Sequence, residues 1–451
     1  MSGDEKRIPT GAIAVYALPS VSMGFMSSLI SFYLLKFSTD VLLLAPAVMG
    51  LLFGISKVWD AISDPLAGYW SDRTRSRLGR RRPWFLAAAL PLSVVFVGLW
   101  SPPASLGASA LAIWMGAGIL LFYSAMTILN VPHASLGAEL TLDHHDRTRV
   151  FAGRAILDMT GVLLAAGALF TLERAANPRD TATALALAAG LVSLGLILLT
   201  TARVRERPDF QGRGATRPYA AFSDVLRNPH ARLLLAVFFL ETLGFSAMIT
   251  VFPYATEYDF LLPGMTSVFL AAALVVMGVT IPLWLPLSRR VGKRNLWALT
   301  MGIKALAFGG LLFAPVGVWL PLIVGVVVIG ACHGCGMMVG PSIQADVIDY
   351  DELRTGQRKE GAYFATWNLA LKLAGGGAIA FTGFLLQLSG FQANVVQSET
   401  TLWTMRLLFA GAPFVSYVIA ALLLLRFSLN EREHAEVRET LRERQREQRA
   451  A

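Results

Sequence analysis

The sequence predicts an all-α membrane protein: twelve transmembrane helices in two echoing six-helix halves. Three observations predict it. The 451 residues are 55% hydrophobic and 15% charged, whereas a soluble domain is nearer 25% charged. Apolar runs of about 20 residues, enough to cross a hydrocarbon core, recur along most of the chain. Basic residues gather in alternate segments between those runs. The runs are continuous, and a β-barrel would require strict alternation.

The elements follow in order. A polar segment, Met1–Thr10, precedes a run too long for a signal-peptide core, so no cleavable leader is expected. Spans are expected near residues 11–36, 43–70, 84–101, 107–133, 150–172 and 181–202, then 232–256, 264–287, 295–314, 317–345, 362–388 and 402–426. The loop after span 2 holds Arg73, Arg75, Arg77, Arg80, Arg81 and Arg82. Arg147 and Arg149 follow span 4, and Arg203, Arg205, Arg207, Arg213, Arg217 and Arg227 follow span 6. Arg289, Arg290, Lys293 and Arg294 follow span 8, and Arg354, Arg358 and Lys359 follow span 10. By contrast, three of the intervening connections, Pro102–Ser109, Ala314–Trp319 and Gly390–Thr401, carry no Lys or Arg. The basic loops therefore share one side, which the positive-inside rule makes cytoplasmic, together with both termini. The net charge of +9 reports this topology and not nucleic-acid affinity.

The longest polar interior stretch, Ala202–His230, separates the halves. The expected organisation is a first bundle over 1–202, a central cytoplasmic loop over 203–231, a second bundle over 232–427 and a charged tail over 428–451. The loops after spans 2 and 4 answer those after spans 8 and 10. Such a repeat, with a site near the midplane, suits an alternating-access transporter.

The sharpest functional signal is the pair Asp60 and Asp64 inside span 2. A charge at the centre of a membrane helix costs about 2.5–3.5 kcal/mol on insertion scales. Positions i and i+4 share a helix face, so the two carboxylates repel unless a cation or proton lies between them. Lys57 adds a charge to that face. In span 4, Thr127 supplies a candidate neutral oxygen one turn before Asn130. Arg154 and Asp158, at i and i+4 in span 5, suit either an intrahelical pair or a solute contact. Lys372, in span 11 with Trp367 five residues before it, is too deep to reach either face easily and is expected to line the cavity. Reach towards Asp60 and Asp64 would link the halves. Lys304, Glu241 and Arg406 are span charges with no partner legible in the sequence.

Two further charged groups lie outside the spans. Asp72 beside Arg80–Arg82 reads as a topology-fixing basic loop, a latch, or both. Asp346, Asp349 and Glu352 follow span 10, spaced one turn apart, with Arg358 beyond. They suit a solvated loop or, with Arg147 and Arg149 as partners, a network that closes the cytoplasmic side. Cys332 and Cys335 flank His333 in a metal-like pattern, but their Gly-rich apolar surroundings favour helix packing. No nucleophile–base set, metal cluster or phosphate loop suggests an enzyme.

Trp59-Asp60-Ala61-Ile62-Ser63-Asp64-Pro65, the stretch from Asp72 through Arg80-Arg81-Arg82 to Trp84, and Asp346, Asp349 and Glu352 followed by Arg358, Glu360 and Lys372 resemble the glycoside–pentoside–hexuronide:cation symporters. That is the melibiose-carrier branch of the major facilitator superfamily, and the resemblance covers nearly the whole chain. It implies the major facilitator fold and a Na⁺, Li⁺ or H⁺ site at Asp60, Ser63, Asp64 and Thr127. Asp60 and Asp64 would be the Na⁺ ligands. It implies solute contacts from Asn130, Arg154, Trp367 and Lys372, and a cytoplasmic gate of Asp72, Arg147, Asp346, Asp349, Glu352 and Arg358. It also implies a monomer in the bacterial inner membrane with no cofactor beyond the coupling ion. The family's sugar-binding carboxylates in spans 1 and 4 are missing: span 4 has Asn130, and Val15–Ser31 contains no acid. This argues against a melibiose-like galactoside and admits an acidic sugar, with Lys372 and Arg154 as partners. Animal lysolipid transporters share the span-2 pattern, so a lysolipid or other amphiphile is the alternative solute.

Overall fold

The structure, a computed structural model, describes residues 8–141, 143–204, 206, 222–356, 359–429, 433–434, 436–441 and 443. Twelve long helices run in chain order among them. They are α1 Thr10–Leu34, α2 Pro46–Arg73, α3 Arg82–Trp100, α4 Ala108–Glu139, α5 His144–Glu173 and α6 Pro178–Arg203. After a short helix Phe222–Arg227 come α7 Pro229–Asp259, α8 Thr266–Val291, α9 Lys293–Leu311, α10 Trp319–Thr355, α11 Glu360–Leu388 and α12 Glu399–Leu425. Ten are long and apolar enough to cross a membrane. The remaining two carry internal charge: α2 holds Lys57, Asp60 and Asp64, and α9 holds Lys304.

The chain divides into two compact units, Met1–Pro218 with Gly383–Val395, and Tyr219–Thr382 with Val396–Ala451. In the first, α1 packs on α5 and α6, α3 on α4 and α6, and α2 on α4. In the second, α7 packs on α12, α8 on α10, and α9 on α10 and α12. Four pairings repeat between the halves: α1–α6 with α7–α12, α2–α4 with α8–α10, α3–α4 with α9–α10, and α3–α6 with α9–α12. The ends of α1 and α7 repeat in detail. Each passes through a π-helical turn, Phe37–Val41 or Ala255–Asp259, and reverses at a leucine with positive φ, Leu43 at 57° or Leu261 at 52°. Each closes with a wide bond, Leu44 N–H to the Ser38 carbonyl at 2.9 Å or Leu262 N–H to the Thr256 carbonyl at 2.7 Å.

Small residues set the closest crossings, as membrane helices require when lipid gives no hydrophobic drive for association. A Cβ on Gly161 of α5 would lie 2.1 Å from the Val21 carbonyl oxygen of α1, and one on Gly24 would lie 2.2 Å from the Asp158 carbonyl oxygen. Gly161→Val is expected to push α1 from α5 and lower stability by about 1–3 kcal/mol, the usual cost of overpacking. A thermal melt matching the parent's would contradict this crossing. Gly330 and Gly334 do the same for α10 against α8, with the carbonyls of Ala273 and Met277 at 2.5 and 3.0 Å from the Cβ positions. Cys332 and Cys335, free and buried, belong to this close-packed segment.

Several helices outrun the apolar spans. α10 continues to Thr355 and stops at Gly356, whose φ of 68° suits a glycine helix end. Asp346, Asp349 and Glu352 are therefore helical, not part of a loop after span 10. Arg147 and Arg149 lie in the first turns of α5, behind the N-cap Asp143, whose carboxylate accepts the Asp146 N–H at 2.8 Å. Hydropathy marks the part of a helix suited to hydrocarbon; capping and charged pairs carry it further into water.

Candidate functional site

The polar face of α2 meets α4 at one hydroxyl. Thr127 Oγ1 lies 2.9 Å from Asp60 Oδ1 and 2.8 Å from Asp64 Oδ1. Ser63 Oγ is 3.5 Å from the same oxygen and 3.3 Å from the Asp60 carbonyl. Asp60 and Thr127 are buried and Asp64 half-buried. A threonine hydroxyl has one proton, so it can donate to one aspartate only. The other contact brings two acceptor oxygens together, an arrangement that a shared cation would suit. The four residues linked in sequence to a cation are thus joined by geometry. The third charge, Lys57, places its ammonium 3.8 Å from the Tyr123 ring centroid on α4. Trp59 Nε1 donates to Ser124 Oγ at 2.8 Å, another bond from α2 to α4.

One turn along α4, Asn130 Oδ1 accepts from Arg154 Nη2 of α5 at 2.6 Å. Two candidate solute residues are therefore in contact. Arg154 also lies beside the Tyr16 phenol of α1. That phenol donates to the His133 carbonyl at 3.0 Å, and its ring stacks on the His133 imidazole with centroids 4.5 Å apart. Tyr16 and His133 were not singled out in the sequence, although His133 sits one turn after Asn130 in an apolar run. Asp158 Oδ1 lies 3.2 Å from the Cβ position of Gly24. The segment of α1 that has no acid of its own thus has a carboxylate alongside it from α5.

Lys372 is half-buried on α11. Trp367 is 2% exposed, packs against Tyr363 and Phe364, and leaves its indole Nε1 without a hydrogen-bond partner among the described residues. Both belong to the second unit, and Asp60 and Asp64 to the first. Contacts among the described residues tie α11 to α7 and to its N-cap, Asn228. Tyr363 Oη accepts from Asn228 Nδ2 at 2.9 Å, and the Cβ position of Gly375 is 3.5 Å from Ser246 Oγ.

The basic end of the first unit is cross-linked by acids. Asp72 pairs with Arg81 Nη2 at 2.5 Å. Glu139, at the end of α4, pairs with Arg80 at 2.6 Å and Arg81 at 2.7 Å. Glu206 accepts the backbone N–H groups of Arg80, Arg81 and Arg82 at 2.6, 2.8 and 2.8 Å, satisfying donors at the start of α3. Sequence reading missed both glutamates; the available signal was Glu206 itself, a lone acid set among Arg203, Arg205 and Arg207. Arg147 Nη2 donates to the Thr141 carbonyl at 3.3 Å. In the second unit, Asp346 pairs with Lys293 at 2.8 Å, and Asp349 Oδ2 lies 3.1 Å from His434 Nε2 of the tail. Glu352 lies on α10, half-buried, and Arg358 lies outside the described residues.

The span charges without a legible partner prove to be paired. Lys304 of α9 donates to Glu241 Oε1 of α7 at 2.5 Å and stands 4.1 Å from the Tyr417 ring centroid of α12. Lys304 is 0% and Glu241 8% exposed. The Cβ position of Gly336 is 3.3 Å from Glu241 Oε1 and 3.2 Å from Trp297 Nε1. Arg406 grips Asp259 with two bonds, at 2.9 and 3.0 Å.

The family model described as MFS/sugar transport protein matches residues 15–431. The chain is 25% identical over 430 residues to the isoprimeverose transporter of Lactiplantibacillus pentosus, covering 92% of this chain and 88% of that one. It is 28% identical over 437 residues to the putative glycoside/cation symporter YagG of Escherichia coli (strain K12), covering 92% and 91%. Among solved structures it is similar to the inward-open xylose transporter XylE from E. coli, with a TM-score of 0.68, 14% identity, and coverage of 96% of this chain and 99% of that one. The last likeness establishes the fold.

Proposed function

This chain belongs to the MFS/sugar transport protein family, and from that premise we propose that it is a Na⁺- or H⁺-coupled symporter of a sugar, glycoside or hexuronate, working by alternating access. It is an integral multi-pass membrane transporter and not an enzyme. The observation that carries the coupling is the Thr127 hydroxyl shared by Asp60 and Asp64. With no bound positive charge, the two carboxylates repel and one of them lacks the Thr127 proton. Na⁺ would be held by oxygens of Asp60, Asp64, Thr127 and Ser63; a proton would occupy one carboxyl and donate to Thr127. Either one draws α2 onto α4.

The signal to the solute runs one turn along α4. Thr127 and Asn130 share a helix face, and Asn130 orients the Arg154 guanidinium. Within the first unit, Arg154 suits the carboxylate of a hexuronate, and Asp158 and Asn130 suit sugar hydroxyls; in the second unit, Lys372 is a cation suited to an anionic solute. Trp367 offers a free N–H. The positive-inside pattern supports a reading in which both termini lie in the cytoplasm of a bacterial inner-membrane protein, with Asp72, Arg147, Asp346, Asp349, Glu352 and Arg358 as a gate on that side.

The test is thermal unfolding of the purified protein against glycosides, hexuronates and lysolipids, each with NaCl or choline chloride and at two pH values. Ligands that bind only the folded state raise the midpoint by mass action. A glycoside or hexuronate shift is expected, enlarged by Na⁺ or by lower pH. A shift with lysolipid alone, or a sugar shift indifferent to both cations, would overturn the reading.

A further inference from the structure

An apolar groove of about 630 Å³ runs between α9 and α12. Ala298, Gly302 and Leu306 form one wall, and Phe414 and Leu422 the other. Gly302 opens it: a Cβ there would meet nothing within 4 Å. Leu306 and Leu422 are 75% and 57% exposed. On a membrane helix, such a surface faces lipid. One end of the groove, at Asn295 and Leu425, is cationic. Arg289 and Arg290 end α8, Arg294 begins α9, and Arg426 follows α12. Arg294 spans this mouth, donating to the Phe427 carbonyl at 2.8 Å and to Asn295 Oδ1 at 3.1 Å. Gly292, the N-cap of α9, supplies no side-chain cap, and the first N–H groups of a helix are the donors an oxyanion takes.

We propose that this groove binds an anionic phospholipid of the surrounding bilayer. One acyl chain lies between α9 and α12, and the phosphodiester sits against Arg294, Arg426 and the first amides of α9. The apolar walls would accept any acyl chain; the cationic mouth selects the headgroup, as basic sites beside membrane helices do. A second copy of the chain fits this groove poorly. Two copies in one membrane orientation would bring both cationic mouths to the same depth, where they repel.

Native mass spectrometry of the detergent-purified full chain tests this, with phosphatidylglycerol and phosphatidylethanolamine of identical tails. Phosphatidylglycerol is expected to bind about tenfold more tightly, in keeping with selection by two arginines. Arg294→Gln with Arg426→Gln should remove that preference, and Gly302→Leu should weaken both lipids together. Because Arg294 also bonds the Phe427 carbonyl, Arg426→Gln alone is the second variant. It should reduce the preference while leaving the thermal midpoint unchanged. Equal retention of both lipids by the unaltered protein overturns the proposal. So does a preference that survives loss of both arginines, or a dimer that Gly302→Leu dissociates.

Discussion

Asp60→Asn is expected to bind solute equally well with and without the coupling cation, and its concentrative uptake should fall to background. Coupling free energies between two ligands are typically about 1–3 kcal/mol, or roughly 5- to 150-fold in affinity. The unaltered protein should show a ratio in that range, and the variant a ratio of about one. Asparagine keeps the shape of the side chain but ends the repulsion that the cation relieves. The remaining carboxylate, Asp64, can then take the Thr127 proton alone, so α2 and α4 sit together whether or not an ion is present. By reciprocity the solute also ceases to raise cation affinity. Thr127 separates this mechanism from a general loss of fold. Thr127→Ser keeps the hydroxyl and should keep much of the coupling; Thr127→Val should lose it. Isothermal titration of solute at several cation concentrations reads both effects. Cation-dependent concentrative uptake by Asp60→Asn would falsify the assignment.

Lys304→Met and Glu241→Gln, each alone, should lower stability by about 3–5 kcal/mol, because either leaves its partner as an unpaired buried charge. The double variant should recover most of that loss, since replacing both members of a buried pair is often close to neutral. The geometry explains why the single losses should be large. Lys304 is wholly buried, with its ammonium between Glu241 and the face of Tyr417. Removing Glu241 leaves the aromatic face, and a cation–π contact contributes only about 2 kcal/mol even when desolvated. Unfolding midpoints of the four proteins in one detergent form a double-mutant cycle. Additive losses with no recovery in the double variant would show that the two charges do not depend on each other.

The helices were legible because lipid leaves the backbone no partner but itself, so each span must be a continuous helix, and ten of the twelve are also apolar enough to show it by hydropathy alone. The basic loops were legible because they stay in water. The Asp60–Asp64 pair was legible because i,i+4 geometry belongs to a single helix. Helix ends were less so. The helical charges of α10, Asp346 to Glu352, lie beyond the apolar run, where hydropathy falls silent and capping decides.

The sequence by itself determined which groups must be neutralised: two acids in α2, and isolated charges at Glu241, Lys304 and Arg406. Tertiary structure alone decided by what. Thr127 reaches Asp60 and Asp64 from another helix, as Arg154 reaches Asn130 and Lys304 reaches Glu241. Glu139 and Glu206 meet the arginines of Arg80–Arg82 in the same way. A charge in hydrocarbon makes its cost visible in one dimension, but its partner comes from a helix dozens of residues away. Only the crossing of helices, set here by glycines such as Gly24 and Gly161, brings the two within a hydrogen bond.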